Sequence, residues 1–536
     1  MRTPPERSRA FKYLASAALA CMVIVLACGE GIVSGTTTPV PSIAGAPGTP
    51  QTPAPGGGNR LQLVTLLIAT SPDLSTIDPA LAMTNPDVYL AQSIYENLVS
   101  RDPDGTLRPL LAESWQPNAD RTQWTFKLRS GVLFHHGKEF TAEDVVSTFK
   151  RLLDPATGSP ALPVLDIIED VVAVDPLTVR FDLSGPSSLL PDLVSIPHAK
   201  IVASDKPPDD RTATAPGTGP FSIEHHSAGS RTVLKRFDDY WGEDQPKLSQ
   251  LTFLSTPTLK TRISGLVAGQ VHVVLPIEAS EAKKLENRGS VVVLKVPASS
   301  YVSISMDVTS APFDNKLVRQ ALRAAIDRAA LVEEVLGGDA TVANDHPIAP
   351  SDPLYWAGQE VATYDIDAAK ALLKEAGFAD GVDITLHTSA VTPAMAAIAA
   401  AIKKMAEPAG FRIEIEEAGE RDYVADIWLS ESFATATWSQ RLPDEAMALM
   451  YRSDSIWNTS NYSNSDLDDL IKLARTQLDE AERKATYQQI QQILIDDVPT
   501  IIPVFMPMFA TLLNAVEDLE FHPFNWVIVN NAFLLK

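Results

Sequence analysis

Two pairs of neighbouring histidines, His135-His136 in "GVLFHHGKEF" and His225-His226, are the first residues here with types suited to chemistry. In a strand, neighbouring side chains point to opposite faces, so each pair offers a metal ion one ligand per face. The expectation is therefore turn or strand histidines and no metal site. The same stretch has the glycines and lysine of a phosphate loop. However, five residues separate Gly131 from Gly137, and Glu139 stands where Ser or Thr should meet magnesium. No Gly-x-Ser-x-Gly elbow and no His-Glu-x-x-His helix occurs. Carboxylate pairs such as Asp238-Asp239 read as solvated surface. Both cysteines, Cys21 and Cys28, lie in the first 28 residues, leaving the body without a thiol nucleophile, a disulfide or a thiolate metal site. The reading is a binder with no cofactor, not an enzyme.

Arg441 is the candidate for recognition. It follows Trp438 by three residues in "SFATATWSQRLPDEAMALM", and Asp444 lies three residues further on. A guanidinium beside an indole can hold a carboxylate, phosphate or sulfonate, bidentately where geometry allows. The plainer alternative is a loop charge on a rim. Trp438 reads as a pocket wall, against a core tryptophan. If Arg441 faces a dry cleft with no partner but the ligand, Arg441→Ala should cripple binding and leave the empty protein as stable as before.

The N-terminal end is read as a targeting segment. Arg2, Arg7, Arg9 and Lys12 precede the apolar run "YLASAALACMVIVLACGE". "VLAC" before Gly29 resembles the lipobox of bacterial lipoproteins, with Cys28 becoming the lipidated N-terminus of a chain whose residues 1–27 are removed. An ordinary secretory signal cleaved near Ala27, and Cys21 after "AALA", are the alternatives. That removal takes away four cations and one anion, moving the net charge from −23 to −26. So acidic a body is repelled by phosphate backbones, which argues against nucleic acid as a partner. Residues 28–59 contain a Pro/Thr/Gly-rich run with too little apolar surface to fold, and read as a tether. The roughly 475 residues beyond it exceed one core, so two or three domains are expected.

Strand and helix patterns interleave through that body, which argues α/β domains. "QWTFKLR" alternates Trp124, Phe126 and Leu128 inward. "TAEDVVSTFKRLLD" reads as a helix capped by Thr141 with Asp144 at the third position. Residues 315–336 read as one amphipathic helix entered at Asp314 or Asn315 and stopped at Gly337-Gly338. "DIDAAKALLKEAGF" reads as a helix capped by Asp365 or Asp367, and residues 465–497 as a helical pair ending before Pro499.

One long stretch, "RPLLAESWQPNADRTQWTFKLRSGVLFHHGKEFTAEDVVSTFKRLLDP", resembles the signature region of family 5 solute-binding proteins. These are the oligopeptide, dipeptide and nickel receptors of ABC importers. "TIDPALAMTNPDVYLAQSIYENLV", "GTGPFSI", "DDYWG", "APFDNKLVRQALRAAIDRAAL" and "RKATYQQIQQILIDDVPTIIPVF" continue the resemblance in the family's order across nearly the whole body.

That resemblance implies a two-lobe, periplasmic-binding-protein-like α/β fold (type II, cluster C) with an insertion domain in the first lobe. The first lobe would use residues 60–98, 185–297 and 498–536, the insertion 99–184, and the second lobe 298–497. It implies a monomeric, lipid-anchored, extracytoplasmic receptor that captures a peptide or peptide-like solute and delivers it to permease and ATPase subunits. The alternatives are a non-peptide anionic solute (opine-like, glycoconjugate or metal–chelate), or a sensory binding protein without transport. In peptide-binding members the position of Arg441 is often an aspartate that pairs with the peptide's ammonium. A cation there favours an anion, unless a loop shift gives the amine role to Asp444. Met83, Thr84 and Asn85 correspond to a segment that contacts ligand backbone. Tyr301, Ser303 and Ser305, on one strand face, and Phe505 and Met506 near the second crossover, are further ligand candidates. Asp307 stands where the family often has asparagine.

Overall fold

In a computed structural model, the structure describes residues 65–536 apart from 71–73, 104, 244, 257, 390–391, 420–421, 456, 525 and 536. The leader, Cys28 and the tether lie outside the described residues. A twelve-stranded mixed sheet runs Phe411–Ala418, Val382–Ser389, Phe433–Ser439, Val291–Met306, Val504–Leu513, Val273–Ile277, Thr65–Thr70, Gln250–Ser255, Arg231–Arg236 and Phe221–Ser227. Two short strands, Thr341–Val342 and Thr500–Ile501, pair beside that path.

Two long neighbours join the lobes. Val291–Val296 pairs with Met508–Leu513, the register then shifts, and Ser300–Met306 pairs with Phe433–Ser439. Beyond the shift Ser300 and Tyr301 keep the same neighbour, at Met506 and Phe505, while Ser300–Met306 gains a second partner in Phe433–Ser439. The outer strand Phe411–Ala418 buries Phe411 and Ile413 and exposes Arg412, Glu414 and Glu416, so charge blunts that edge.

A separate four-stranded sheet, Ala112–Pro117, Gln123–Leu128, Thr178–Leu183 and Ile168–Asp175, is backed by the helix Ala142–Leu153. Trp124, Phe126 and Leu128 are buried there, as their alternation requires. Asp144 accepts from the Thr141 backbone N–H at 3.0 Å. Asn315 caps its helix through Leu317 N at 3.0 Å, and Asp365 caps through Ala368 N at 2.8 Å. The long helix expected over 315–336 is broken. It ends as Lys316–Ala324, and Asp327 caps a new start at Ala330 N, 2.9 Å, which runs into a π turn at Leu331–Val335. The apolar stripe continued across the break and concealed it.

Motifs far apart in the chain meet at a buried carboxylate. Glu96 accepts from Thr218 Oγ1 (2.8 Å), Tyr240 OH (2.9 Å) and Trp241 Nε1 (2.8 Å). Lys200, 1% exposed, gives its ammonium to Asn97 and the Tyr95 carbonyl, and burial pulls its pKa down to about 7. A Cβ on Gly217 would stand 1.9 Å from the Ile94 carbonyl oxygen. The glycines of "GTGPF" thus serve close backbone approach as well as a turn.

Candidate functional site

The site is a cavity of about 310 Å³ lined by segments far apart in the chain. One wall begins at the helix Asn85–Ile94. Asp87, 2% exposed, accepts from the backbone N–H groups of Ser75 (2.7 Å), Thr76 (3.2 Å), Met83 (3.1 Å) and Thr84 (3.0 Å), and from Ser75 Oγ (2.7 Å). One carboxylate thereby pins the loop that presents Met83, Thr84 and Asn85 to the cavity.

A second wall is aromatic. Trp428, Trp438 and Trp457 form a triangle with ring centroids 6.0, 5.6 and 5.8 Å apart. Edge and tilted contacts of this kind fix the rings and give a rigid apolar face. Trp438 Nε1 donates to Ser303 Oγ at 3.0 Å, and Tyr423 donates its hydroxyl to the Thr435 carbonyl. The strand Phe433–Ser439 pairs along its length with Val291–Met306 but meets Val382–Ser389 only at Ala434. Residues 436–438 therefore line the cavity with no second strand partner among the described residues. Across the cavity Ser439 Oγ donates to Asn85 Oδ1 at 3.2 Å, and Lys295 meets Asp339 at 2.7 Å.

Arg441 does line the cavity, with its Cζ 5.5 Å from the Trp457 ring centroid rather than beside Trp438. It is not free to await a ligand. Its Nη1 donates to Glu445, whose side chain is only 4% exposed, so the charge is met one helical turn on. Its Nε has no acceptor among the described residues. A hollow of about 50 Å³ adjoins Arg441 and His198. Burial, and then the charge of Arg441, hold His198 down to about 4, so it is neutral and bonds the Ala82 carbonyl at 2.9 Å.

Asp444 does not face the cavity. Arg475 clasps it at 2.7 and 3.0 Å, and the same guanidinium reaches Asp166 at 2.6 Å. The loop shift that would give Asp444 an amine role is overturned, because a carboxylate held by a buried arginine has no open side. Tyr301, Ser303 and Phe505 are also corrected. They are 1%, 0% and 2% exposed and form the layer behind the wall, with Tyr301 edge-on to Phe505 and Ser303 under Trp438. On that strand it is Ser300 that reaches the cavity, together with Met506 on its neighbour. Ser305 bonds Thr459 at 2.6 Å, and Asp307 caps its own turn at Thr309 N, 2.9 Å. His225 is exposed and His226 bonds Thr232 at 2.8 Å, while no metal-binding group of three ligands exists among the described residues.

Sequence reasoning missed Tyr423, Trp428, Trp457, Arg262 and Glu278. The tryptophans sit ten and nineteen residues from Trp438 and Trp438 from Trp457, spacings that match no helix or strand period; only the turn of the chain between them brings the rings together.

A mixed sheet continuous through the body, beside an aromatic cavity, is the setting in which similarity to known proteins places a solute-binding receptor. The pattern of the bacterial extracellular solute-binding proteins, family 5 (middle), matches residues 106–469, and the chain belongs to that family. It is 29% identical over 490 residues to the glutathione-binding protein GsiB of Escherichia coli, covering 87% of this chain and 93% of that one. The fold is similar to the Helicobacter pylori ABC transporter-associated periplasmic binding protein DppA in complex with the peptide STSA. That match has a TM-score of 0.80 and 26% identity, covering 88% of this chain and 98% of that one. It is similar also to MoaA from A. tumefaciens in complex with mannopinic acid, at TM-score 0.79 and 25% identity, covering 89% and 100%.

Proposed function

We propose that this receptor captures a peptide or peptide-like solute between its lobes and delivers it to the permease of an ABC importer. The observation that carries this reading is the strand edge at residues 436–438, which lines the cavity and meets no second strand among the described residues. An extended peptide can add to such an edge through its own backbone, leaving side-chain pockets to choose among sequences. At about 310 Å³ the cavity is at the small end of ligand sites, which run to roughly 1,000 Å³, and suits a di- or tripeptide. The names of GsiB and DppA, glutathione-binding and peptide-bound, support the same class. In this reading residues 60–98, 185–297 and 498–536 make the first lobe, 99–184 the insertion and 298–497 the second lobe. Trp438, its two neighbouring tryptophans and residues 83–85 touch the solute.

A second reading, an anionic solute such as an opine, is favoured by the Nε of Arg441, a buried donor with no acceptor on the cavity wall. Both readings require closure, in which the ligand shifts the population toward the closed form. Titration with L-alanyl-L-alanine should raise the melting temperature, by the equivalent of about 2.7 kcal/mol at 100-fold excess over Kd. Small-angle scattering should show a smaller radius of gyration. Tight binding with an unchanged radius would remove the closing mechanism, and no binding of small peptides would remove the peptide reading.

The proposal includes a monomeric, extracytoplasmic protein anchored by lipid at Cys28, with residues 28–59 as tether. Cys28→Ala should move the protein from membranes to the soluble fraction. A variant with its leader cleaved that stays on membranes would sink the anchor.

A further inference from the structure

We infer that the cavity recognises a cationic nitrogen on its solute, an ammonium or guanidinium, and that Glu278 on the first-lobe wall is its counter-ion. This rests on the receptor reading above and goes beyond it by naming the charge the site selects.

Each other charge at the cavity is already engaged. Arg441 is met by Glu445. Asp339 is met by Lys295 at 2.7 Å and Lys283 at 3.5 Å. Arg262, 9% exposed, donates Nη1 to the Thr256 carbonyl at 2.9 Å. Glu278 differs from them. It follows the strand Val273–Ile277, stands just before the helix Ala279–Leu285 and makes no side-chain hydrogen bond to that helix. Among the described residues no cation or donor faces its carboxylate, although it lines the cavity. The nearby ammonium groups on that helix are turned elsewhere, Lys283 to Asp339 and the Gly337 carbonyl, Lys284 to Glu281.

Burial disfavours the charged form of a carboxylate that has no partner, and burial alone pushes the half-buried Glu278 up to about 7. A group so perturbed, in a cleft and without a structural partner, is where a ligand's opposite charge is worth most. The aromatic triangle lines the same cavity, and indole faces attract cations rather than anions, as Arg441 over Trp457 already shows.

Three probes on the full chain separate the possibilities: L-alanyl-L-alanine, its N-acetyl derivative and its C-terminal amide. The free dipeptide and the amide should bind, and acetylation should weaken binding by about 30-fold or more. Glu278→Gln should lose the amide and the free dipeptide by a similar factor. Its empty form should melt at or above the wild-type temperature, since a partnerless carboxylate holds nothing in place. Equal binding of acetylated and free dipeptide, or a Glu278→Gln protein that still discriminates between them, overturns the inference while the receptor reading stands. A preference for the acetylated probe over the amide assigns recognition to the Arg441 side and overturns it as well. If none of the three binds, the peptide reading falls and this inference falls with it.

Discussion

Replacing Arg475 by methionine is expected to be among the most damaging single changes in the body, costing about 3–5 kcal/mol of stability. Arg475 is 5% exposed at its side chain and Asp444 is 6% exposed. Two parallel bonds, Nε to Oδ1 at 2.7 Å and Nη2 to Oδ2 at 3.0 Å, close the fork between them. The third nitrogen reaches Asp166 at 2.6 Å, and Arg452 holds that carboxylate's other oxygen at 2.5 Å. Burial works against the charge on Arg475, yet Asp444 and Asp166 raise its pKa above the usual arginine value. Removing the guanidinium strands Asp444, 5% exposed as a whole residue, near the buried Tyr487. An unpaired buried charge costs more than the pair was worth.

Two outcomes of urea denaturation decide the case. Arg475→Met alone should lose the several kcal/mol given above, and Arg475→Met with Asp444→Leu should recover a large part, because no orphan charge remains. A single variant within about 1 kcal/mol of wild type would mean that water reaches Asp444, as at an ordinary surface pair. The clamp also ties the short helix Leu162–Leu165 and Asp166 at its end to the helix Ser465–Thr476. Its loss should therefore loosen the backing of the cavity wall along with the global fold.

The layers of this protein differed in how readable they were. Local periodicity exposed the strand at 123–128 and the helix at 142–153, because burial of every second or every third-to-fourth side chain needs only neighbours in sequence. It failed at 325–327, where an apolar stripe runs on through a break that a capping aspartate creates. The family resemblance pointed to Met83, Thr84, Asn85, Trp438 and Arg441, and these residues do line the cavity. On the strand at 300–306 it chose the wrong face. Alternation placed Tyr301, Ser303 and Ser305 together, but which face meets the cavity depends on the register with Phe433–Ser439 and on the slip at 297–299. The partners of Asp444 and Arg441 were equally hidden, since an arginine thirty-one residues away and a glutamate one turn away are told apart only by packing. Glu278 carried no signal at all, because a carboxylate reads the same in sequence whether water or a cavity surrounds it.

The internal pair at Arg441 reverses one expectation drawn from the sequence. Arg441→Ala should lower the stability of the empty protein, by roughly 2–3 kcal/mol, because Glu445 at 4% exposure is left without its cation. Arg441 itself keeps 17% exposure, which places the loss below that of the Arg475 clamp. Glu445→Gln should cost less, since a neutral amide can still accept from Nη1. The double variant Arg441→Met, Glu445→Gln should recover most of the loss, with a coupling energy of about 0.5–3 kcal/mol in the cycle. Binding of L-alanyl-L-alanine separates an internal pair from an anion anchor. If the pair only shapes the wall, the single variant loses affinity through a disordered wall and the double variant regains it to within about tenfold of wild type. If Arg441 holds a ligand carboxylate, restoring stability cannot restore the missing cation, and both variants stay weak by about 30-fold or more at low and high salt alike. The expected result is recovery, because Arg441 already has its counter-ion within the protein and Glu278 has none.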